Sequence, residues 1–365
     1  MTAGKLHFIV PGPLGQCTGG YIYDARMVDG LRARGWRVDV HSLAGRFPLA
    51  DDAARANLAN VLAEIPCGVR VVVDGLALAA DPALLERYRG RLHLLALVHH
   101  PLSEETGLDQ RTRAQLSALE SRALQAVSGV VVTSAFTARG LDRFGVSGAR
   151  VRIVPPGTDA APLAPGPSPE APLQLLVVAS VIPRKGHEVL VRALDRIRDR
   201  PWRCVCAGSL ARDVPYAEGV IARVDGAGLS DRIEFVGECD RAMLDRLYAA
   251  ASLFVLPSYF EGYGMVLTEA LARGLPIVST TGGAIPDVVP TDVGLLVPPG
   301  DDEALSESIG SLIGDGPAAT ARARFVAAAG RYRSTIRSWD TAVETMENAL
   351  VGLTPESATS EEPVA

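Results

Sequence analysis

Cysteine is sparse in this sequence and forms no useful pattern: Cys17, Cys67, Cys204, Cys206 and Cys239 make no CxxC pair and have no histidine-rich partner tract. That argues against a disulfide scaffold and against a structural zinc site. Cys204 and Cys206 fall on one face of an expected strand, WRCVCAG, where small buried hydrophobes are the expected reading. No run of about 18 uncharged apolar residues occurs. The start, MTAGKLHFIVPG, moves straight into a short strand without the layout of a signal peptide. A soluble, cytoplasmic protein is expected, with no transmembrane segment and contact with a membrane surface left open. Positive charge is not in excess either. The formal net charge of −6 offers no general basic face for nucleic acid. Aromatic residues are scarce, at 5%.

What the chain does have is apolar residues, at 48%, and 36 glycines and 25 prolines spread over many short connections. At 365 residues it is too long for one ordinary core, so two domains are expected. The first half alternates short apolar strands with helical patterns: KLHFIVPG, YIYDARMVDGLRARG, WRVDVHSL, ARANLANVLAEI, GVRVVVDGL, PALLERYRG, RLHLLALVHH, DQRTRAQLSALESRALQAV, GVVVTS, FTARGLDRFG. This predicts a doubly wound parallel sheet over residues 1–160. Residues 161–172 hold the proline-rich APLAPGPSPEAP and are expected to be a hinge linker. The alternation restarts over 173–330, with one helix placed on GVIARVDGAG. A terminal helix is expected over 331–352 and a disordered acidic tail over 353–365. In such α/β sheets ligands bind at the carboxyl ends of the strands.

Four loops at such ends carry candidate chemistry. In GQCTGG, Gly19 and Gly20 precede a helix and permit close approach of backbone to a phosphate or hydroxyl, or simply make a tight turn. This is not a GxGxxG fingerprint. In VHHPLSEET, His99 and His100 end an apolar strand, so that one imidazole can face the cleft while the other turns back; Glu104 and Glu105 read as metal ligands or as solvated charge, with solvated charge favoured. In SVIPRKG, Arg184 and Lys185 present two cations just before a helix, where a diphosphate needs them, in a loop that lacks the P-loop pattern. The stretch PSYFEGYGMVLTEALARGLPIVST reads as strand end, loop, helix and strand, with Glu261 in the loop and Glu269 inside the helix. The helix start beside Gly264 offers free N–H groups and a positive dipole end to an anion. The two carboxylates suit sugar hydroxyls, or an acid and nucleophile pair of a glycosidase. Arg32, Arg34, Arg37, Arg139 and Arg143 either face an anionic lipid or are solvated helix charge.

Together these residues resemble the family four retaining glycosyltransferases (group 1), from TGGY near the start to SWD near the end, most specifically in the E-x7-E pattern of Glu261 and Glu269. The resemblance implies a GT-B fold, two Rossmann-like domains facing a central cleft, the first binding acceptor and the second a nucleotide-sugar donor. It implies transfer of a hexose, from UDP-glucose or a similar donor, without cofactor or metal; the nucleotide sugar is a co-substrate. By the same resemblance Lys185 and Arg184 hold the diphosphate, Glu261 the sugar hydroxyls and Glu269 the ribose. The backbone of Gly262, Tyr263, Gly264, Met265, Val266 and Leu267 contacts sugar and phosphate. His99, with Lys185 and Glu261, counts as catalytic; Gly19, Gly20 and His100 line the phosphate or acceptor side. The terminal helix near Trp339 returns to the first domain. Where family members often carry G-R-L, this chain has Ala179, Ser180 and Val181, so Arg184 stands in for the usual arginine. A GDP-mannose donor, a nucleotide-sugar epimerase or hydrolase of the same fold, and a non-catalytic sugar-nucleotide binder are the alternatives.

Overall fold

A computed structural model describes residues 4–168 and 170–353, so most of the acidic tail lies outside the described residues. Two six-stranded parallel sheets organise the chain. The first contains β1 (Lys5–Pro11), β2 (Arg37–Leu43), β3 (Arg70–Asp74), β4 (His93–Val98), β5 (Gly129–Val132) and β6 (Val151–Ile153), in the order β2-β1-β3-β4-β5-β6. The second contains β7 (Leu173–Val178), β8 (Trp202–Ala207), β9 (Ile233–Gly237), β10 (Leu253–Leu256), β11 (Ile277–Thr280) and β12 (Gly294–Val297), in the order β12-β11-β10-β7-β8-β9. Helices between strands cover both faces, which is why central strands such as GVVV and LFVL are buried at every position. This is the expected pair of doubly wound domains.

The strand order reverses at two places. In the first sheet the reversal lies between β1 and β3, in the second between β7 and β10. Loops leaving neighbouring strands there diverge to opposite faces and open a crevice. The loops that follow β1, β7 and β10 are the ones that carry Gly19 and Gly20, Arg184 and Lys185, and Glu261.

Two differences from the sequence reading have simple causes. The helix expected over GVIARVDGAG begins five residues earlier, at Val214, because Asp213 caps it by accepting from the Tyr216 N–H (3.2 Å) and Pro215 fits its first turn. Strand β12 was not foreseen: GLLV is four residues between a turn and two prolines, too short to show alternation. The proline-rich stretch lies against the second domain, with the Ala164 N–H bonded to Arg273 O (2.9 Å) and the Gly166 N–H to Ala249 O (3.0 Å). The chain crosses between domains just before it, where the Thr158 N–H meets Arg337 O (2.9 Å), and returns at Ser338. There the helix Trp339–Gly352 packs on the first domain. Met346 and Leu350 join Met27 and Leu31 in one core, and Glu347 accepts from Arg34 (2.6 Å) and from the Trp36 indole (2.9 Å).

Behind the Arg184–Lys185 loop, His187 opens the helix His187–Arg196 fully buried, with neither ring nitrogen hydrogen-bonded among the described residues. Burial, and then the Lys185 ammonium, push its pKa down to about 3 from 6.5. The unfolded chain therefore takes up a proton that the folded one refuses. The neutral ring's stabilisation is complete above pH 6.5 and is lost as pH falls from there toward 3. By about pH 4.5 the loss should reach roughly 2–3 kcal/mol. In urea titrations the wild-type midpoint should drop over that range more steeply than that of His187→Leu; parallel curves would contradict the assignment.

Candidate active site

The second-domain half is built on the reversal between β7 and β10. After β7 the turn Pro183–Lys185 ends at Gly186, whose φ of +69° admits glycine readily and whose missing side chain lets the turn press on the Pro257 carbonyl after β10. That approach joins the two loops. Lys185 Nζ lies 2.6 Å from Glu261 Oε1, and Arg184 Nη1 3.6 Å from Glu261 Oε2. The Ser258 hydroxyl donates to Glu261 Oε1 (2.6 Å), Arg184 Nη1 donates to Phe260 O (3.0 Å), and the Tyr259 N–H donates to Arg184 O (2.8 Å). Burial opposes the Glu261 charge, but Lys185 and Arg184 overcome it and hold the carboxylate below its ordinary range. Burial pulls Lys185 down, with Glu261 opposing and Arg184 assisting.

Of the expected backbone contacts, Gly262, Tyr263 and Gly264 form the loop, and Met265, Val266 and Leu267 the first turn of the helix Met265–Ala272. The Leu267 side chain is in the core and its N–H is already bonded to Gly264 O (2.9 Å). The Met265 and Val266 N–H groups have no backbone acceptor among the described residues, so they are the donors this helix start can offer. Glu269, a turn further on, accepts from the Tyr248 hydroxyl (3.0 Å), and burial raises its pKa. Its neighbour Thr268 bonds Thr158 in the interdomain crossing (2.8 Å).

The first-domain half gathers at the other reversal. Gly19 and Gly20 open the helix Gly19–Ala33, and a Cβ on Gly20 would stand 3.3 Å from the His99 ring. His99 leaves β4 with Nε2 held between two buried carboxylates, Asp24 Oδ1 at 3.1 Å and Asp74 Oδ2 at 3.5 Å. Burial disfavours the charged ring, yet Asp24 and Asp74 outweigh it and raise His99 to about 10. Burial raises Asp24, while His99 pulls it back. These three side chains form the one cluster, among the described residues, compact enough to suggest a cation. Nε2 lies within ion-pair reach of both carboxylates, which already describes a satisfied set.

His100 turns away from this cluster, toward Glu105 (Nε2 to Oε2, 3.5 Å) and the Phe260 ring (5.8 Å). Glu105, expected as solvated charge, instead spans the domains. It lies 3.0 Å from Arg184 Nε, and although burial opposes its charge, His100 and Arg184 lower its pKa to about 2. Glu104 pairs with Arg143 near the surface. The two halves touch: a Cβ on Gly262 would overlap the His99 carbonyl oxygen, and Arg212 reaches Gln16 at 3.1 Å. The five arginines weighed as a lipid face are all engaged: Arg32 on Val38 O, Arg34 on Glu347, Arg37 near Asp39, Arg139 on Asp287 and Arg143 on Glu104.

Asp24, Asp74 and Ser258 are absent from the sequence reading, which includes Glu105 only as a charge in a polar loop. Asp74 closes the apolar strand RVVVD and Asp24 sits five residues after Gly19, signals that become visible only when the sheet order brings three loops to one point.

The family profile of glycosyl transferases group 1 matches residues 164–331, and that of glycosyltransferase family 4 matches residues 22–161. The chain belongs to the family 4, group 1 glycosyltransferases. Curated relatives include the D-inositol 3-phosphate glycosyltransferase of Salinispora tropica, 30% identical over 227 residues (56% of this chain and 46% of that protein). Another, from Mycobacterium sp. (strain JLS), is 33% identical over 184 residues, 48% of this chain and 42% of the relative. The matched region thus spans about half the length of these curated relatives. Among solved structures, sucrose-phosphate synthase from Thermosynechococcus elongatus superposes with a TM-score of 0.80 at 23% identity, over 96% of this chain and 99% of that one. Anabaena HepE, solved with UDP and glucose, superposes with a TM-score of 0.72 at 18% identity, over 95% of this glycosyltransferase and 99% of HepE. These two likenesses establish the GT-B fold. No described helix is long and apolar enough to cross a membrane.

Proposed function

We propose that this glycosyltransferase moves a hexose from a uridine diphosphate sugar, such as UDP-glucose, to an acceptor hydroxyl, with retention at the anomeric carbon and without a metal ion. The observation that carries the reading is the part-buried Lys185–Glu261 pair at one strand-order reversal, with His99 at the other and Gly262 touching the His99 backbone between them. Lys185 and Arg184 would exchange their carboxylate partners for the diphosphate and stabilise the charge that develops on it. Glu261 would then hold hydroxyls of the transferred sugar, Glu269 the ribose diol, and the Met265 and Val266 amides the phosphate or sugar oxygens. On the acceptor side stand Gly19, Gly20 and His99, with His100 fixing Glu105.

In the proposed step the acceptor oxygen bonds to the anomeric carbon on the face the diphosphate leaves. The carbon–oxygen electron pair departs with the diphosphate, whose oxygen takes the acceptor proton. In this scheme Arg184 and Lys185 would together take the role of a divalent ion at the leaving group, and EDTA should leave the rate unchanged. The HepE structures with UDP and with UDP-glucose support the uridine choice. The D-inositol 3-phosphate relatives support a hydroxyl acceptor.

A thermal-shift screen of nucleotides and nucleotide sugars tests the donor. At 100–1,000 times its dissociation constant the true donor should stabilise the protein by about 3–4 kcal/mol. A response to GDP-mannose alone would reassign the nucleotide, and no response to any would defeat the proposal. Rapid conversion of UDP-glucose by pure protein without acceptor would favour an epimerase or hydrolase instead.

A further inference from the structure

The pairing of His99 with two carboxylates is more than its burial requires. One hydrogen-bond acceptor would satisfy Nε2, and a backbone carbonyl would do so without bringing a second charge into a dry site. Asp24 and Asp74 are instead both buried to within a few per cent of complete, on different elements, with their oxygens on the same ring nitrogen. Asp74 also accepts from the Leu76 N–H (2.8 Å), which locks its carboxylate at the end of β3. The ring has no freedom to turn. It stands edge-on to the Tyr23 ring at 5.3 Å, and the missing Cβ of Gly20 leaves it the room it occupies. The His99 carbonyl accepts from the Thr133 hydroxyl (3.2 Å) and from Thr137 (3.4 Å). Nδ1 is left as the ring nitrogen with no protein partner among the described residues, and it is not sealed from solvent.

We propose that Asp24 and Asp74 are positioning residues that keep His99 doubly protonated with its Nδ1–H free for the substrate, so that His99 acts in transfer as a fixed cationic donor and not as a base. The proposal rests on the glycosyltransferase reading for the word substrate, but the ring's protonation state can be measured without it. A permanent imidazolium beside the anomeric carbon can hold a sugar hydroxyl or the departing diphosphate oxygen through a charge-assisted bond. It cannot take the acceptor proton, which is consistent with a step in which the diphosphate does so.

The charged and titratable surroundings of the ring support this state. On the helix Gly19–Ala33, Tyr21 and Tyr23 are both held protonated by burial, with Asp74 foremost among the nearby charges for Tyr21 and Asp24 for Tyr23. The helix Trp339–Gly352 contributes the uncharged Trp339 behind Tyr23, and the second domain contributes the Gly262 backbone. Asp24 and Asp74 are the charges that act on His99, and together they hold its pKa near 10.

The test is an NMR titration of the histidine ring nitrogens in the full chain, with the His99 signals assigned from a His99→Gln spectrum. His99 should show both nitrogens protonated up to about pH 8.5, while an ordinary histidine titrates near 6.5. A neutral ring at pH 7.5 overturns the proposal, whether or not any donor or acceptor has been found. Asp24→Asn and Asp74→Asn supply the second arm. In each the His99 pKa should fall, and transfer should decline about one decade per pH unit above the new value. The KM for donor should stay within about twofold. A merely structural role would lower the rate equally at all pH values, and that flat profile in folded variants would also overturn the proposal. Should a variant fail to fold, the wild-type titration still decides.

Discussion

Replacing Lys185 with methionine is expected to lower kcat/KM by about 10²–10³-fold, the usual loss when one preorganised donor to a developing negative charge is removed. The ammonium is part-buried, 2.6 Å from the buried Glu261 Oε1, and is held there by a turn pinned to the next strand through Gly186. A free side chain could be replaced by solvent cations; this one cannot. Removing it also leaves Glu261 with the more distant Arg184 and the Ser258 hydroxyl as partners, so the single variant should lose about 3 kcal/mol of stability as well. The two effects separate in Lys185→Met/Glu261→Gln, where no buried charge is stranded. The double variant should regain most of the lost stability and none of the lost activity, read by urea unfolding beside initial rates. Recovery of both together would reduce Lys185 to a structural counter-ion, and the donor assignment would fall with it.

The second-domain cluster proposed to hold the donor is made of residues that are local in the chain, and for that reason it stands out in the sequence. Glu261, Gly262 and Glu269 sit on one strand-loop-helix stretch, and Met265–Ala272 has the bounds expected from apolar spacing and Gly264. Arg184 and Lys185 were found because two cations before a glycine and a helix are visible without any tertiary knowledge. The first-domain cluster around His99 is not legible in the same way. His99 stood out at a strand end, but its partners Asp24 and Asp74 lie 75 and 25 positions away and converge only because β3 and β4 are neighbours and the helix after β1 starts over them. Glu105 was misread for the same reason. In the chain it is one of two adjacent glutamates in a polar loop, and only closure of the second domain brings Arg184 to 3.0 Å. The crossing at Thr158 and Ser338 was hidden by the prolines that follow it, which signal irregular backbone without saying which domain the irregular backbone lies on.

Closure itself gives the other large expected effect. Gly262→Ala should reduce kcat by about 10²-fold or more while leaving the dissociation constant of the donor within a few-fold. The Gly262 backbone has an ordinary negative-φ conformation, so alanine brings no strain of its own. What it brings is a methyl group on top of the His99 carbonyl oxygen and 3.1 Å from the His100 Cβ, atoms of the opposite domain. Overpacking inside a core costs about 1–3 kcal/mol because nothing can retreat. Between two domains the cheaper response is for them to part. The strain would be taken up at the crossing, through Thr158 to Arg337, Thr158 to Thr268, and Asp159 to Arg26 and Arg241, and across the cleft, through Glu105 to Arg184, Arg139 to Asp287 and Gln16 to Arg212. Lys185, Glu261 and Glu269 all belong to the second domain and would move with it, so the donor would keep its site. His99, on the first domain, would be displaced from the sugar by about an ångström, a misplacement that typically costs on the order of 10²-fold. Calorimetric titration with the donor, initial rates with acceptor and the radius of gyration in solution test the argument together. Weak donor binding with an unchanged radius would place the damage inside the second domain, whereas an unchanged rate would mean that the contact between Gly262 and His99 plays no part in transfer.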